Sequence, residues 1–453
     1  MTYEQFIESK RQLTDDFGFE AKYISDNLFD FQKEIVARSV RKGRIGVFAD
    51  TGLGKTRISL SVAYNIVKHT NKNVLILTPL AVAFQFIDEA KILGIDDIEY
   101  SRNGKFNKHI VVCNYEMLKN FNSYDFVACI CDESSILKNF KGIIKQQVVA
   151  FIRKLPYRFL TTATPSPNDY IELGTSSEAL GYMGYMDMLS HFFKSTQNEI
   201  DSNKTIGEKY RLMPHAEKSF FEWVNSWSMM IRKPSDIGNF SDDKYKLPEL
   251  ILNTHTVVNE NDDFQGLFRF EKLKSMYELR VEQKQTEDVR CQKAVELAKD
   301  YNCCVYWCNT NNESKLLKTY DKDAVEIIGS QSVEQKEDIL INFAKGNIKK
   351  LITKASITGM GLNWQHCNYS VFFPTFSYEQ YYQVVRRFWR FGQEKNVYID
   401  LILSENQSRV MEALNEKIEK AKKLYAQLIE NRSNSYSDVK KLENCIMTKP
   451  AFI

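Results

Sequence analysis

Short, wholly apolar runs alternate along this chain with stretches in which apolar positions recur every three or four residues. The runs read as strands buried on both faces, and the periodic stretches as helices covering them, which is the pattern of parallel sheets in an α/β fold. A first series of strands falls at 45–48, 73–77, 110–113, 126–131 and 158–161, and a second at 303–307, 325–328, 350–353, 369–373 and 398–401. Two such series predict two similar α/β lobes. Between them, about 167–245, the chain is rich in aromatics (Tyr182, Tyr185, Phe192, Phe193, Phe220, Phe221, Trp223, Trp227) and lacks strand alternation. That segment reads as a mostly helical insertion whose rings form core rather than a base-stacking platform. The layout expected is an N-terminal segment 1–24, a first lobe 25–245 including the insertion, and a linker 246–262. A second lobe 263–406, an amphipathic helix 407–432 and a loose tail 433–453 complete it.

Composition narrows the picture. Hydrophobic residues make up 43% of the 453 and charged residues 26%, while Gly (19) and Pro (9) are scarce, which excludes collagen-like and low-complexity chains. The formal charge is +3, so a polybasic binder is excluded but a basic groove is not. No apolar run reaches the ~18 residues that span a bilayer, and the N-terminus lacks the layout of a signal peptide. The nine cysteines are odd in number and sit in apolar runs, as thiols of a reducing cytoplasm do. Neither Cys129-Ile-Cys131 nor Cys303-Cys304 has a partner pair at zinc spacing.

Chemistry concentrates at two places. In 46–56, Gly-Val-Phe-Ala-Asp-Thr-Gly-Leu-Gly-Lys-Thr, a strand runs through a Gly-rich turn into a helix. That arrangement aims backbone N–H groups and the positive helix end at a phosphate chain. Gly52 and Gly54 let the backbone approach the ligand, with Thr51 beside them at the nucleotide, Lys55 reaches the β/γ-phosphates, and the Thr56 hydroxyl suits Mg²⁺. The second place is Asp132-Glu133, at the end of another strand. Asp132 would hold the Mg²⁺ shell, and Glu133 would orient and deprotonate an attacking water. Together the two elements describe a nucleoside triphosphatase.

Further stretches carry a resemblance. Residues 49–56 resemble the AxxGxGKT motif I of superfamily 2 helicases, and 132–139 (Asp-Glu-Ser-Ser-Ile-Leu-Lys-Asn) resemble the DExH box with the IKN of the Swi/Snf-type branch. Thr78-Pro79 is similar to motif Ia, Asn114-Tyr115-Glu116 to the TYE element, and 161–165 to motif III. Residues 355–363 are similar to motif V and 383–393 to motif VI, QxxxRxxRxGQ. The likeness is nearest to compact phage-type DEAD/DEAH-box helicases, on TATPSPND and WSMMIRKPSD, and runs from about 29 to 403. Ser135 stands in place of the DExH histidine, which implies altered coupling of hydrolysis to nucleic acid.

The resemblance implies two RecA-like parallel-sheet lobes of the P-loop NTPase class, with a helical insertion between motif III and lobe 2. It implies ATP and Mg²⁺, with Gln32 reading the adenine edge and Gly361 at the nucleotide. Arg387 and Arg390, three apart and so expected on one helix face, would act as arginine fingers. Thr78, Tyr115, Thr162, Thr358, Gly359 and Asn363 are the nucleic-acid contacts implied, through hydroxyls and amides that grip without reading sequence. The activity implied is ATP-driven movement along or unwinding of DNA (single-stranded, forked or duplex), in the cytoplasm of a bacterium or a phage-infected one, in replication or recombination. Replication, single-strand-binding or methyltransferase proteins are the partner classes it suggests, and no membrane. Two alternatives stay open: a duplex translocase that separates no strands and serves a restriction, modification or remodelling partner, and a DNA-binding scaffold with weak ATPase.

Overall fold

The computed structural model describes residues 16–79, 82–167, 169–195, 210–258, 276–358 and 363–447. Two compact units divide the chain. One comprises Met1–Thr78, Ala83–Asp242 and Lys420–Ile453, and the other Pro79–Val82 and Asp243–Glu419.

In the first unit the strands are β1 (Arg44–Ala49), β2 (Asn73–Thr78), β3 (Ile98–Tyr100), β4 (Ile110–Asn114), β5 (Phe126–Asp132) and β6 (Tyr157–Thr161). Two short strands, β7 (Phe193–Ser195) and β8 (Tyr210–Leu212), pair antiparallel with each other, and β9 (Ser228–Ile231) returns to the main sheet. The order across that seven-stranded sheet is β3-β4-β2-β5-β6-β1-β9, with every pairing parallel. All strand C-termini therefore share one edge, the edge where α/β sheets bind ligands. Helices α1 (Asp30–Lys42), α2 (Lys55–Thr70), α3 (Ala83–Ile92) and α4 (Ile143–Ile152) connect them. The insertion contributes α5 (Leu173–Leu180), α6 (Tyr185–Phe192) and α7 (Glu217–Trp227). Its rings pack on one another, Phe192 lying 5.4 Å from both Phe220 and Trp223, and Trp227 meets Phe48 of β1 edge-on at 6.0 Å. They are core.

The second unit holds β10 (Leu250–Val257), β11 (Cys304–Trp307), β12 (Val325–Glu326), β13 (Lys350–Thr353), β14 (Tyr369–Phe372) and β15 (Val397–Ser404). Their order is β10-β15-β14-β11-β13-β12, again all parallel. Its helices are α8 (Met276–Gln285), α9 (Glu287–Leu297), α10 (Asn311–Tyr320), α11 (Val333–Ala344) and α12 (Tyr378–Phe388). Capping boxes at Thr310/Glu313 and Ser332/Gln335 start α10 and α11, each satisfying helix N–H groups that would otherwise lack partners. Trp307, Phe343, Trp364 and Phe388 fill the core, the two indoles 5.6 Å apart. The last helix, α13 (Ser408–Met447), belongs to the first unit from Lys420 on.

Three elements differ from the sequence reading. Ser228–Ile231, inside the expected helical insertion, is a fully buried strand on the edge of β1, too short to show a period. Leu250–Val257, expected to be linker, is the edge strand of the second sheet, half solvated and so weakly marked by hydrophobicity. The final helix passes the expected end at 432 and reaches Met447, since no Gly or Pro interrupts it before Pro450.

Candidate active site

The phosphate loop joins β1 to α2. Two glycines in it, Gly52 (φ 87°) and Gly54 (φ 82°), hold left-handed backbone that side chains rarely adopt. At Gly54 a Cβ would also lie 2.2 Å from the Gln32 amide nitrogen, so a side chain there would have to displace that amide. The first turn of α2 carries no acidic residue, which leaves its positive end free to attract an anion. Asp50 N–H donates to the Ile231 carbonyl (2.8 Å), fixing the loop entrance to β9. Thr51 is tied to the Asp50 carboxylate through its N–H (2.6 Å). Lys55 donates its ammonium to the Ala49 carbonyl (3.0 Å) and lies 3.4 Å from that of Asp50, so the cation curls under the loop.

Two strands away, β5 ends at Asp132, which is 4% exposed. Its carboxylate accepts from Thr161 Oγ1 (2.9 Å), and its carbonyl accepts from Tyr115 OH (2.7 Å). Burial, with Glu133 adding to it, pushes the Asp132 carboxyl up to about 7 against the pull of Lys55 and Thr161. A carboxylate held in so dry a place is short of positive charge. Magnesium, which takes one or two carboxylates and fills its shell with phosphate oxygens and water, fits the pair Asp132 and Thr56. Among the described residues no three His, Cys, Asp or Glu side chains gather as a self-sufficient metal site.

Glu133 follows with φ 48° and ψ 51°, left-handed backbone for a residue that has a side chain. Its Oε2 accepts from Thr162 Oγ1 (3.2 Å), and that hydroxyl in turn accepts from Thr164 N–H (3.1 Å). The arrangement aims an oriented carboxylate at the same sheet edge as the phosphate loop.

Known proteins resemble this chain over both units. Residues 25–166 match the family described as type III restriction enzyme, res subunit, and residues 288–392 match the helicase conserved C-terminal domain. A stretch of 178 residues is 26% identical to reverse gyrase 1 of Aquifex aeolicus (strain VF5), covering 39% of this chain and 15% of that protein. Among solved structures, the Sulfolobus solfataricus SWI2/SNF2 ATPase core in complex with dsDNA aligns over 85% of this chain and 90% of that one, at 17% identity and a TM-score of 0.40. One family match falls in each unit. The chain belongs to superfamily 2 of the helicases and translocases.

Within this superfamily 2 chain the sequence-derived residues divide into groups. Lys55, Thr56, Asp132 and Glu133 stand at the ends of one sheet, together with Thr51, Gly52 and Gly54. Gln32 also joins them, although its amide is engaged: Oε1 accepts from Phe29 N–H (3.0 Å) and Nε2 donates to the Leu53 carbonyl (3.0 Å). It braces the loop from α1. Thr161 joins the group as well, a residue the sequence did not single out beyond its place in the motif III stretch.

The residues expected to meet nucleic acid differ in exposure. The side chains of Thr78, Tyr115 and Thr162 are buried, because their motifs end fully enclosed strands. Tyr115 supports Asp132 and Thr162 supports Glu133, so both brace the site from within. Asn363 is exposed, with its amide donating to Gln365 Oε1 (3.0 Å). Thr358 closes a short helix, Ala355–Thr358, while Gly359 and Gly361 lie outside the described residues.

Motif VI also departs from expectation. Arg387 and Arg390 do not share a helix face, because α12 ends at Phe388 and Trp389 (φ −91°, ψ 82°) leaves helical geometry. There Trp389 Nε1–H donates to the Pro248 carbonyl (2.6 Å), which ties the helix end to the segment before β10. Arg387 is buried, its guanidinium 5.9 Å from the Trp364 ring centroid. Gln393 clamps the following turn onto the Gln365 and Phe388 carbonyls (3.1 and 3.2 Å). No helix among the described residues is long and apolar enough to cross a membrane.

Proposed function

We propose that this protein is an ATP-driven DNA motor, a helicase or translocase of phage or bacterial DNA replication or recombination. The observation that carries the reading is the meeting of the phosphate loop, Asp132 and the Thr162-oriented Glu133 at one sheet edge. On binding ATP, Lys55 exchanges its carbonyl partners for phosphate oxygens, and the N–H groups opening α2 cradle the chain of phosphates. Magnesium, when bound at Asp132 and Thr56, offsets phosphate charge. Glu133 holds the attacking water and takes its proton, a role worth roughly 10²–10⁴ in rate. Arg387 and Arg390 of lobe 2 are the residues proposed to meet the γ-phosphate. Fingers of this kind contribute ~10³–10⁵ in related phosphoryl transfers.

The test is ATP turnover measured with single-stranded DNA, duplex, fork and RNA. Stimulation by DNA is expected, with Lys55→Ala and Glu133→Gln each losing at least about a hundredfold. Full turnover in Glu133→Gln removes the assigned base, and absence of any DNA-stimulated hydrolysis in the wild type leaves only a binding scaffold. Because the lobe 1 match is to a restriction-enzyme subunit, a second reading is a translocase that runs on duplex without parting it. Displacement of a triplex strand but not of a duplex strand decides for that reading.

A further inference from the structure

The last helix reaches the catalytic edge of the first unit through the side chain of Tyr425. Along α13, Ala421, Leu424, Tyr425 and Leu428 are buried at helical spacing. Tyr425 is 6% exposed, and its hydroxyl donates to the carbonyl of Ala163, in the motif III loop that follows β6. Its ring lies under the guanidinium of Arg232, whose carbon is 4.4 Å from the ring centroid, at the exit of β9. Strands β6 and β9 flank β1, the strand that feeds the phosphate loop. One tyrosine thus touches the exits of both neighbours of that strand.

A buried tyrosine hydroxyl needs a partner in any setting. What distinguishes this one is the acceptor it takes. The carbonyl of Ala163 and the N–H of Thr164 belong to a single peptide plane, and that N–H donates to Thr162 Oγ1 (3.1 Å). The same oxygen carries the hydrogen donated to Glu133 Oε2 (3.2 Å). The groups therefore run in series: Tyr425 O–H to the Ala163 carbonyl, through the peptide to the Thr164 N–H, on to Thr162 Oγ1 and then to the carboxylate. Bonds arranged head to tail polarise one another, and a peptide held at both its polar ends cannot rotate.

We infer that Tyr425 is a positioning residue for Glu133, holding the Ala163–Thr164 peptide so that the Thr162 hydroxyl points at the carboxylate. The inference rests on the ATPase reading above for its kinetic consequence, and on the geometry alone for the relay. Gln427 bonded to Glu217, Asn225 Nδ2 donating to the Leu428 carbonyl (3.0 Å) and Arg232 donating to that of Lys422 (3.3 Å) seat the helix independently of the hydroxyl. Removal of the hydroxyl alone is therefore a clean perturbation.

Tyr425→Phe keeps the ring and deletes the relay. The expected result is a kcat about three- to tenfold lower at saturating DNA, with KM for ATP within twofold of wild type and a melting temperature lowered by no more than a few degrees, as one lost buried hydrogen bond implies. Thr162→Ala should show a comparable fall, and the double variant should be no slower than Thr162→Ala, since both changes cut one chain. Hydrogen exchange over residues 159–167 should quicken in Tyr425→Phe, whether or not the protein turns over ATP. Wild-type kcat in Tyr425→Phe, losses that multiply in the double variant, or unchanged exchange at that segment each overturn the inference. An inactive wild type with quickened exchange in Tyr425→Phe sinks the ATPase reading but leaves the relay standing.

Discussion

Glu133 occupies backbone that its side chain does not favour. Only it and Asn71 have positive φ without being glycine, among the described residues. Asn71 caps the end of α2, where left-handed geometry suits an asparagine. Glu133 has no such excuse, and left-handed backbone costs a residue with a Cβ roughly 1–2 kcal/mol. The conformation persists because Tyr115 grips the Asp132 carbonyl on one side and Thr162 grips the carboxylate on the other. Strain kept at a site by its surroundings is a mark of function. It also makes a prediction in which stability and activity separate. Glu133→Ala and Glu133→Gly should both lose hydrolysis, yet the glycine variant should be the more stable of the two by about 1 kcal/mol. At an ordinary helix or strand position the order is reversed, glycine being the weaker by ~0.5–1 kcal/mol. Urea unfolding of the two purified variants decides it, and an alanine variant as stable as the glycine one ends the strain argument.

At the level of elements, the first unit depends on a helix from the far end of the chain. Leu424 and Leu428 of α13 are almost fully buried, and Asn225, Glu217 and Arg232 supply polar anchors beside them. Leu424→Ala should therefore lower stability by ~2–5 kcal/mol, the range for a buried leucine cut to a methyl group. Thermal melts of the variant measure this, and a loss below ~0.5 kcal/mol means the side chain has no packing role. The amphipathic stretch of that helix was legible from its period, but its destination was not, since periodicity names a buried face and never the surface that covers it. Strands followed the same division. Those enclosed on both faces, such as β2 and β5, stand out as apolar runs, whereas β10, half solvated at its sheet edge, carries too little hydrophobic signal to be separated from a linker.

For the molecule as a whole, what could be read in advance was what lies close together in sequence. The phosphate loop is one contiguous stretch, and Asp132-Glu133 is another. The bonds that orient them join distant residues: Thr161 to Asp132 across 29 positions, Tyr425 to Ala163 across 262. Nothing local announces such pairs. Net charge is the other global property, and it bears on how the protein should hold its track. The chain has 61 basic and 58 acidic residues. Several of its cations are already spent within the fold, as in Arg57–Glu89, Lys145–Glu178, Arg290–Glu313 and Lys350–Asp321. With the two signs almost balanced over the whole chain, a light electrostatic grip is expected, in which each phosphate engaged releases counterions and adds about 0.9 to the slope of log affinity against log salt. A motor that engages three or four phosphates should show a slope of about −3 to −4, against roughly −10 for a strongly basic DNA binder. Fluorescence anisotropy with labelled DNA between about 50 and 200 mM salt gives that slope directly. A value steeper than about −7 contradicts the proposed light grip, because it requires roughly eight phosphates bound at once. A shallow slope with measurable affinity supports it, leaving the remaining binding to uncharged donors such as amides, hydroxyls and backbone N–H groups.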